Sequence, residues 1–338
     1  GKTMAHELEI RDGNACMMYA GETPWHKLGT KVEKEVSAGA CMKLAGLDTE
    51  CEKRPIFIRG KAEVDGIPVV GSQVEGKYAV VRLDDEKVLG VVGESYNIIQ
   101  NRECFDFLDS IVGEGQALYH TAGSLFGGSR IFITLKLPED SVVGDDTIQR
   151  YVLLATSHDG SMALTARMTG VRVVCANTLA VALGRETQQC ITIRHTQSYK
   201  DKVAEARRVL DLADLYYQHM EREFSKMLDA TMRESDLSRF VNQLFPDTKK
   251  DEAGKLVASA GAIKKRDRVR ELARAGRGNK AVAGTRWSAF QAITEFVTHE
   301  RTSNVSPGRA QDDVWFNSMM FGSGRQLEQQ AFDLLKVK

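Results

Sequence analysis

Apolar and polar positions follow two different periods along this chain, and the period changes near residue 195. Before that point, apolar residues occur in short runs bounded by Gly, Pro, Asn and Asp, a pattern typical of strands and turns. After it, they recur every three or four positions, which predicts amphipathic helices. The sequence therefore predicts a strand-rich N-terminal part and a mostly helical C-terminal part.

The first third is predicted to hold two helices and a hairpin. Helices are expected over 38–47 and 101–112, the second with Asn101 as its N-cap. The β-branched runs at 78–83 and 88–92 flank the polar turn DDEK and predict an antiparallel hairpin. A further short strand is expected at 56–58.

Three apolar runs in the middle of the chain predict an antiparallel meander. They cover 130–137, where Pro138 is expected to end the strand, then 151–156 and 162–174. A short helix over 176–183 would cover one face of this sheet, which gives a β-β-β-α core. Residues 190–194 could add an edge strand.

The C-terminal part is predicted to begin with one long helix over 199–228. Further helices are expected over 237–244, 263–275, 287–298 and 326–336, and 249–255 is interpreted as a polar linker. The predicted fold class is therefore α+β, with an antiparallel meander, its covering helix and a mostly helical C-terminal part. The predicted domains are 4–195 and 196–338, with Met4 as the natural start.

Composition is typical of a globular protein and limits the compartment. The chain has 338 residues, of which 42% are hydrophobic and 27% charged. No apolar run approaches the roughly 20 residues that span a bilayer, so no membrane partner is expected. The six cysteines show no CxxC or CxH pair, which is typical of reduced thiols and not of a zinc site. We expect the cytoplasm of a bacterial host.

Charge is balanced overall but unevenly distributed. Lys plus Arg and Asp plus Glu both total 46. Residues 261–286, however, contain nine basic residues and two acidic ones, Asp267 and Glu271. A helix so rich in like charge repels itself unless an anion neutralises it, which indicates an anionic partner.

The familiar catalytic motifs are missing, so the sequence predicts a non-catalytic protein without metal or cofactor. There is no GxxxxGK[ST], GxGxxG after a strand, GxSxG or HExxH. His158-Asp159 before Gly160 is interpreted as a turn at a strand end. A site assembled from distant residues, for instance that of a nuclease, stays open as a third hypothesis.

Two groups of basic residues are candidates for contact with nucleic-acid phosphates. The first lies in the basic segment: Lys264, Lys265, Arg266, Arg268, Arg270, Arg274, Arg277, Lys280 and Arg286. The second consists of Arg130, Arg167 and Arg172 along the meander. The alternative for the first group is a solvated helix face, and for Arg172 a rim position beside a carboxylate. Trp287 and Phe290 have core spacing and are predicted to pack inside rather than stack on bases.

Several segments resemble the phage/plasmid-like protein family known as domain of unknown function 932. They are MAHELEI (4–10), GETPWHKLGT (21–30), YNIIQN (96–101), GSLFGGSR (123–130), HDGS (158–161), VRVVCANTL (171–179) and the stretch 284–299. The resemblance covers nearly the whole chain and implies a mobile-element origin. It brings no established activity with it.

The meander followed by a helix also resembles, at the level of fold, single-strand annealing proteins of the RecT, Red-beta and Erf families. That resemblance implies rings or filaments that hold one DNA strand in a basic groove without nucleotide hydrolysis. The predicted function is therefore single-stranded DNA binding and annealing by a homo-oligomer. The alternative is a phage or plasmid protein that modulates host defence or replication through protein contacts.

Overall fold

The computed structural model describes residues 9–11, 14–20, 29–32, 36–64, 66–112, 117–172, 177–179, 189–193, 199–301, 318 and 322–337. These residues form two units, each built from three stretches of chain. The first unit takes its described residues from 1–136, 153–167 and 190–209, and the second from 137–152, 168–189 and 210–338. The predicted domain boundary between residues 195 and 196 stays a prediction.

The described strands are numbered in chain order. They are β1 (Ile10–Arg11), β2 (Asn14–Ala15), β3 (Met17–Ala20), β4 (Thr30–Val32), β5 (Cys51–Val64), β6 (Ile67–Arg82), β7 (Lys87–Gly93), β8 (Leu118–Leu125), β9 (Arg130–Val143), β10 (Asp146–Ser157), β11 (Thr165–Arg172), β12 (Asn177–Leu179), β13 (Cys190–Thr192), β14 (Lys249–Lys250) and β15 (Leu256–Val257).

The described helices are numbered in the same way. They are α1 (Ala38–Leu44), α2 (Asn101–Val112), α3 (Tyr199–Asp229), α4 (Glu234–Leu244), α5 (Ala260–Ala275), α6 (Arg286–Glu295) and α7 (Ser323–Leu335). One π-helical turn, Phe296–Glu300, continues α6. No helix in the described part of the chain combines the length and the apolar composition that crossing a membrane requires.

The largest sheet has eight strands in the order β12-β11-β10-β9-β8-β3-β4, with β13 paired to β11. Its central strand β10 is buried continuously from Arg150 to Ser157, as expected for a strand that is covered on both faces. A second, three-stranded sheet has the order β5-β6-β7. The α+β class, the meander strands and the helical C-terminal part are therefore confirmed.

Glycine and a buried ion pair shape the first unit near the end of β8. The carboxylate of Glu9 and the guanidinium of Arg82 are each about 4% exposed and lie 2.5 Å apart. Arg82 also bonds to Asp85, at 2.5 Å. Gly128 has a φ of 97°, and a Cβ there would lie 2.4 Å from Nη1 of Arg82. Only glycine therefore lets the backbone approach this guanidinium so closely.

An aromatic cluster forms part of the core of the second unit. Trp287 and Phe290 of α6 pack against Phe224 of α3 with ring centroids 4.7 and 5.4 Å away, and Phe332 of α7 completes the cluster. All four side chains are at most 1% exposed. Trp287 also donates from Nε1 to Asp146 at 2.8 Å. The predicted packing role of Trp287 and Phe290 is confirmed.

Four details of the sequence interpretation are wrong. The helix predicted over 176–183 is contradicted at Asn177–Leu179, which pair with β11 as a strand; the rest of that range lies outside the described residues. Pro138 does not end β9, which continues to Val143. Asn101 is the first residue of α2 and donates its side-chain amide to the Leu47 carbonyl instead of capping the helix. The polar linker at 249–255 contains β14 and leads directly into β15.

Candidate nucleic-acid interface

The basic segment folds as α5 and the turn after it. Ser259 caps α5 by accepting a hydrogen bond from the amide of Ala262 at 3.1 Å. The buried face of the helix is narrow and consists of Val269, Leu272 and Ala273. Most of the remaining surface of α5 is therefore left for charged side chains.

Carboxylates distant in sequence neutralise most arginines of this segment. Arg266 bonds to Asp247 at 2.7 Å and also to the Phe245 carbonyl. Arg268 bonds to Glu300 at 2.7 Å. Arg274 pairs with Glu234, and Arg277 lies 3.8 Å from Glu295.

The remaining carboxylate partners belong to the segment itself. Arg268 also contacts Glu271 at 2.6 Å, and Arg270 contacts Asp267 at 2.8 Å. Arg286 donates to the Leu335 carbonyl at 3.1 Å. Five of the nine basic residues thus share six carboxylates, four of which come from outside 261–286, and the large positive excess seen in the sequence is mostly compensated.

The lysines of the segment differ from the arginines. Lys264, Lys265 and Lys280 are exposed, and none forms an ion pair with another described residue. The ammonium of Lys265 lies 6.0 Å from the ring centroid of Phe245, a cation–π distance that leaves the charge available. The positive charge available to a ligand on α5 therefore comes from lysine.

A hairpin before α5 adds further lysines that the sequence analysis missed. In it Lys250 pairs with Leu256 and Lys249 with Val257. Its turn is closed by Asp251, which accepts from the amides of Ala253 and Lys255 at 3.0 and 2.8 Å. The Asp-to-Gly turn between LysLys and LeuVal was the signal for this hairpin, but two-residue strands are too short for a periodic pattern.

The hairpin is attached at both ends close to the first turns of α5. Asp247, two residues before it, is bonded to Arg266, and Ser259, two residues after it, caps the helix. The exposed lysines of hairpin and helix lie within residues 249–265, and none forms an ion pair with another described residue. We name them the lysine surface: Lys249, Lys250, Lys255, Lys264 and Lys265.

The second predicted group lies on two strands of the largest sheet, β9 and β11. Arg130 stacks on Phe126 at 5.0 Å and donates to Ser161 at 3.3 Å. Arg167 and Arg172 lie on β11, where Arg167 pairs with Cys190 and Arg172 with Asn177. The side chains of Arg130 and Arg167 are half-buried. Their contact with phosphates stays a prediction.

Three of the segments that carry the family resemblance meet in the first unit around His158. Its Nε2 lies 3.0 Å from Oδ1 of Asn101, and its amide donates to the Ser129 carbonyl at 2.7 Å. Tyr96 donates to the carbonyl of Ser157 at 2.7 Å. Asp159 accepts from the amide of Ser161 at 2.9 Å, so the predicted turn after the strand is confirmed. No group of three or more potential metal ligands occurs among the described residues.

Burial makes stability depend on the neutral form of two histidines in this unit. Desolvation lowers the pKa of His158, and likewise that of His120, to about 4. In the unfolded chain a histidine titrates near ~6.5, so between these pH values the unfolded state binds more protons. The stabilisation is complete above about pH 6.5 and is lost as the pH falls towards 4.

We therefore expect the free energy of unfolding to fall between pH 7 and 5, and the double variant His158→Gln/His120→Gln to reduce that slope. Urea unfolding at three pH values measures it, and each single variant should remove part of the difference. Equal slopes for the parent and the double variant would show that neither histidine is held neutral.

Comparison with known proteins agrees with the resemblance. No curated protein and no solved structure matches the chain. The family described as domain of unknown function (DUF932) matches residues 88–323. This match includes α5, the lysine surface and the His158 turn, and covers more than half of the chain. The chain is therefore a member of the DUF932 family.

Proposed function

We propose that this protein is a phage or plasmid protein that binds single-stranded DNA through the lysine surface and promotes annealing without nucleotide hydrolysis. The observation that supports it is the exposure of five lysines within residues 249–265 that have no ion-pair partner among the described residues. Lysine ammonium groups bind phosphates as point charges and do not depend on base sequence. An annealing protein needs such sequence-independent contacts.

Exposed apolar side chains between the lysines favour a single strand over a duplex. Leu256 is 54% exposed and directly follows Lys255, and Ile263 is 48% exposed and precedes Lys264. Unpaired bases present apolar faces to such side chains, whereas a duplex hides those faces by stacking. Phosphate contacts by lysine and base contacts by leucine and isoleucine would together select a strand with unpaired bases.

Removing four of these lysines should weaken binding and make it less dependent on salt. For single strands, the slope of log affinity against log salt is about 0.7 per neutralised phosphate. The variant Lys249→Gln/Lys250→Gln/Lys264→Gln/Lys265→Gln should therefore lower the slope by about 3, if each lysine contacts one phosphate. Fluorescence anisotropy with a labelled thymidine oligonucleotide, repeated at several salt concentrations from about 50 to 200 mM, measures both the affinity and its dependence on salt.

The matched control replaces two lysines that already have carboxylate partners. Lys226 bonds to Glu223 at 2.6 Å and Lys336 to Asp333 at 3.1 Å, so Lys226→Gln/Lys336→Gln should leave the slope unchanged. If the parent protein binds no oligonucleotide at the lowest or at the highest salt concentration, the proposal is wrong. If the four-lysine variant and the parent have equal slopes, the lysine surface is not the binding site. Tighter binding to a duplex of the same sequence would contradict the single-strand preference.

Annealing itself is tested separately from binding. Two complementary labelled oligonucleotides should pair faster with the protein than without it, and added nucleotide triphosphate should make no difference. The four-lysine variant should lose this acceleration. An unchanged rate with the parent protein would reduce the proposal to binding alone.

The alternative function is a protein contact that modulates host defence or replication. The observation that favours it is that carboxylates neutralise most arginines of the basic segment. The positive area that remains is small, as a contact with an acidic patch on another protein requires. Capture of a partner from nuclease-treated host lysate, lost in the four-lysine variant, would support this function. Capture that disappears after nuclease treatment would show that nucleic acid bridges the two proteins, and would support nucleic acid as the ligand of the lysine surface.

A further inference from the structure

The β5–β6 hairpin continues as a two-stranded ribbon well beyond its sheet. β6 pairs with β7 only over Lys77–Arg82. The remainder, residues 56–64 of β5 and 67–76 of β6, has no third strand among the described residues, and we name it the arm. About ten residues per strand give a length of roughly 30 Å. Two-stranded ribbons of this kind are marginally stable in water on their own.

The arm exposes more large apolar side chains than any other part of the described chain. Six of the fifteen exposed large hydrophobic residues lie on it: Phe57, Ile58, Val64, Ile67, Val69 and Val70. Val70 and Ile67 are each 70% exposed. Concentrated exposure of this kind marks an interaction surface.

Charge argues against DNA as the partner of the arm. Its described charged residues are two cations, Arg59 and Lys61, and two anions, Glu63 and Glu75, so that their net charge is zero. A neutral, apolar ribbon gains no counterion release from phosphates. Its partner is therefore a protein surface.

One edge of the arm is open to a further strand. Among the strands that the structure describes, β5 pairs only with β6 and forms the edge of its sheet. On the other side, β7 covers the base of β6, and Pro68, which is paired with Glu63, has no amide hydrogen to donate to a neighbour. Between residues 56 and 64, β5 contains no proline. An added strand therefore fits along β5.

The sequence of β5 is complementary to itself in antiparallel orientation. If Ala62 lies on a two-fold axis, Lys61 of one copy lies opposite Glu63 of the other, and the same pair forms again across the axis. Opposite charges in directly facing positions stabilise an antiparallel pair. Both side chains are exposed, although Glu63 also contacts Arg59 at 2.7 Å and would be shared between two cations.

We propose that the arms of two copies of this chain pair through β5 into a continuous four-stranded sheet, β6-β5-β5-β6. Pairing provides each ribbon with the additional strands that it lacks, and in this register the exposed Val64 of one copy lies opposite Gly60 of the other. This association does not depend on DNA and goes beyond the proposed function. It identifies the residues by which a homo-oligomer would form.

A charge exchange on full-length protein without nucleic acid tests the pairing. Lys61→Glu places Glu opposite Glu, and Glu63→Lys places Lys opposite Lys, so each single variant should dissociate the dimer at least tenfold more readily in sedimentation velocity. The double variant Lys61→Glu/Glu63→Lys restores opposite charges and should restore the dimer. Lys77→Glu, an exposed lysine at the base of the same hairpin, is the matched control and should have no effect.

A cysteine at the proposed axis gives an independent measurement. In a Cys190→Ser background, which removes an exposed thiol, Ala62→Cys should form a disulfide-linked dimer under mild oxidation, whereas the parent that retains Ala62 should not. A parent chain that is monomeric at hundreds of micromolar overturns the proposal. So does a double charge variant that stays dissociated, or an Ala62→Cys variant that does not cross-link. DNA binding by such a monomer would leave the proposed function intact.

Discussion

Trp287→Ala is expected to lower the free energy of unfolding by about 3–5 kcal/mol, the usual cost of emptying a large buried aromatic site. The side chain is fully buried, its ring centroid lies 4.7 Å from that of Phe224, and its indole donates to Asp146 at 2.8 Å. The substitution leaves a cavity between α3 and α6 and removes one hydrogen-bond donor to the Asp146 carboxylate. Urea unfolding followed by far-UV circular dichroism measures the loss.

Two further variants separate packing from hydrogen bonding at this position. Trp287→Phe keeps most of the apolar volume and should cost less, because it removes mainly the bond to Asp146, worth about 1 kcal/mol. Leu334→Ala on α7, where the side chain is 43% exposed, should change stability by less than about 1 kcal/mol. Equal losses for Trp287→Ala and Leu334→Ala would contradict the assigned core.

Arg82→Met is expected to have an effect of similar size in the first unit, about 3–5 kcal/mol, because it removes the cation that is hydrogen-bonded to the buried Glu9 carboxylate. The other cations near this carboxylate, Arg11 and Lys87, lie 3.6 and 3.7 Å away. Burial alone would raise the pKa of Glu9, but the hydrogen bond and charge of Arg82 outweigh it and hold that pKa below its ordinary value. The hydrogen bond from Arg82 likewise lowers the pKa of Asp85 to about 2. The variant loses both interactions.

The pH dependence of this difference has a definite sign. Both carboxyl groups have lower pKa values folded than unfolded, so their contribution is present above about pH 4 and is lost as the pH falls towards 2. The difference in unfolding free energy between the parent and Arg82→Met should therefore shrink over that interval. Glu9→Gln in the Arg82→Met background should restore part of the stability at pH 7, since it removes a buried charge that has lost its hydrogen-bonded cation.

Arg54→Met is the matched control for this prediction. Arg54 pairs with Glu52 and Glu86, but its side chain is 38% exposed, and exposed pairs contribute at most about 1 kcal/mol. A loss for Arg82→Met as small as that for Arg54→Met would contradict the buried ion pair.

The helices could be predicted from the sequence because their signal is local. Residues 101–112 and the long helix from 199 show apolar residues at helical spacing, and the structure places α2 and α3 over nearly the same ranges. The hairpin of β6 and β7 was predictable for the same reason, since two β-branched runs flank a polar turn. The helices depend on residues no more than four positions apart, and the hairpin depends on two runs separated only by a short turn.

The strands were predicted less completely because pairing partners determine their length. Residues 56–58 are the apolar part of β5, which extends over Cys51–Val64 because β6 provides hydrogen bonds along it. Asn177–Leu179 join β11 as a strand although the surrounding sequence favours a helix. In both places the backbone bonds of a neighbour override local preference.

The candidate site shows the same division. The basic residues of 261–286 were evident in the sequence, but the carboxylates of Glu234, Asp247, Glu295 and Glu300 that neutralise them lie 18 to 40 positions away from the atoms they bond. The sequence alone overestimated the free positive charge. It also missed Lys249 and Lys250, whose two-residue strand has no periodic signal.

The sequence by itself determined the family, the α+β class, the helices and the absence of familiar catalytic motifs, since these follow from composition, local spacing and contiguous motifs. Only the tertiary structure decided which cations remain without a carboxylate, how far β5 and β6 extend as an arm, and which family segments meet around His158. The physical reason is that ion pairing, strand pairing and burial join residues that the chain places far apart, and no local pattern records those partners.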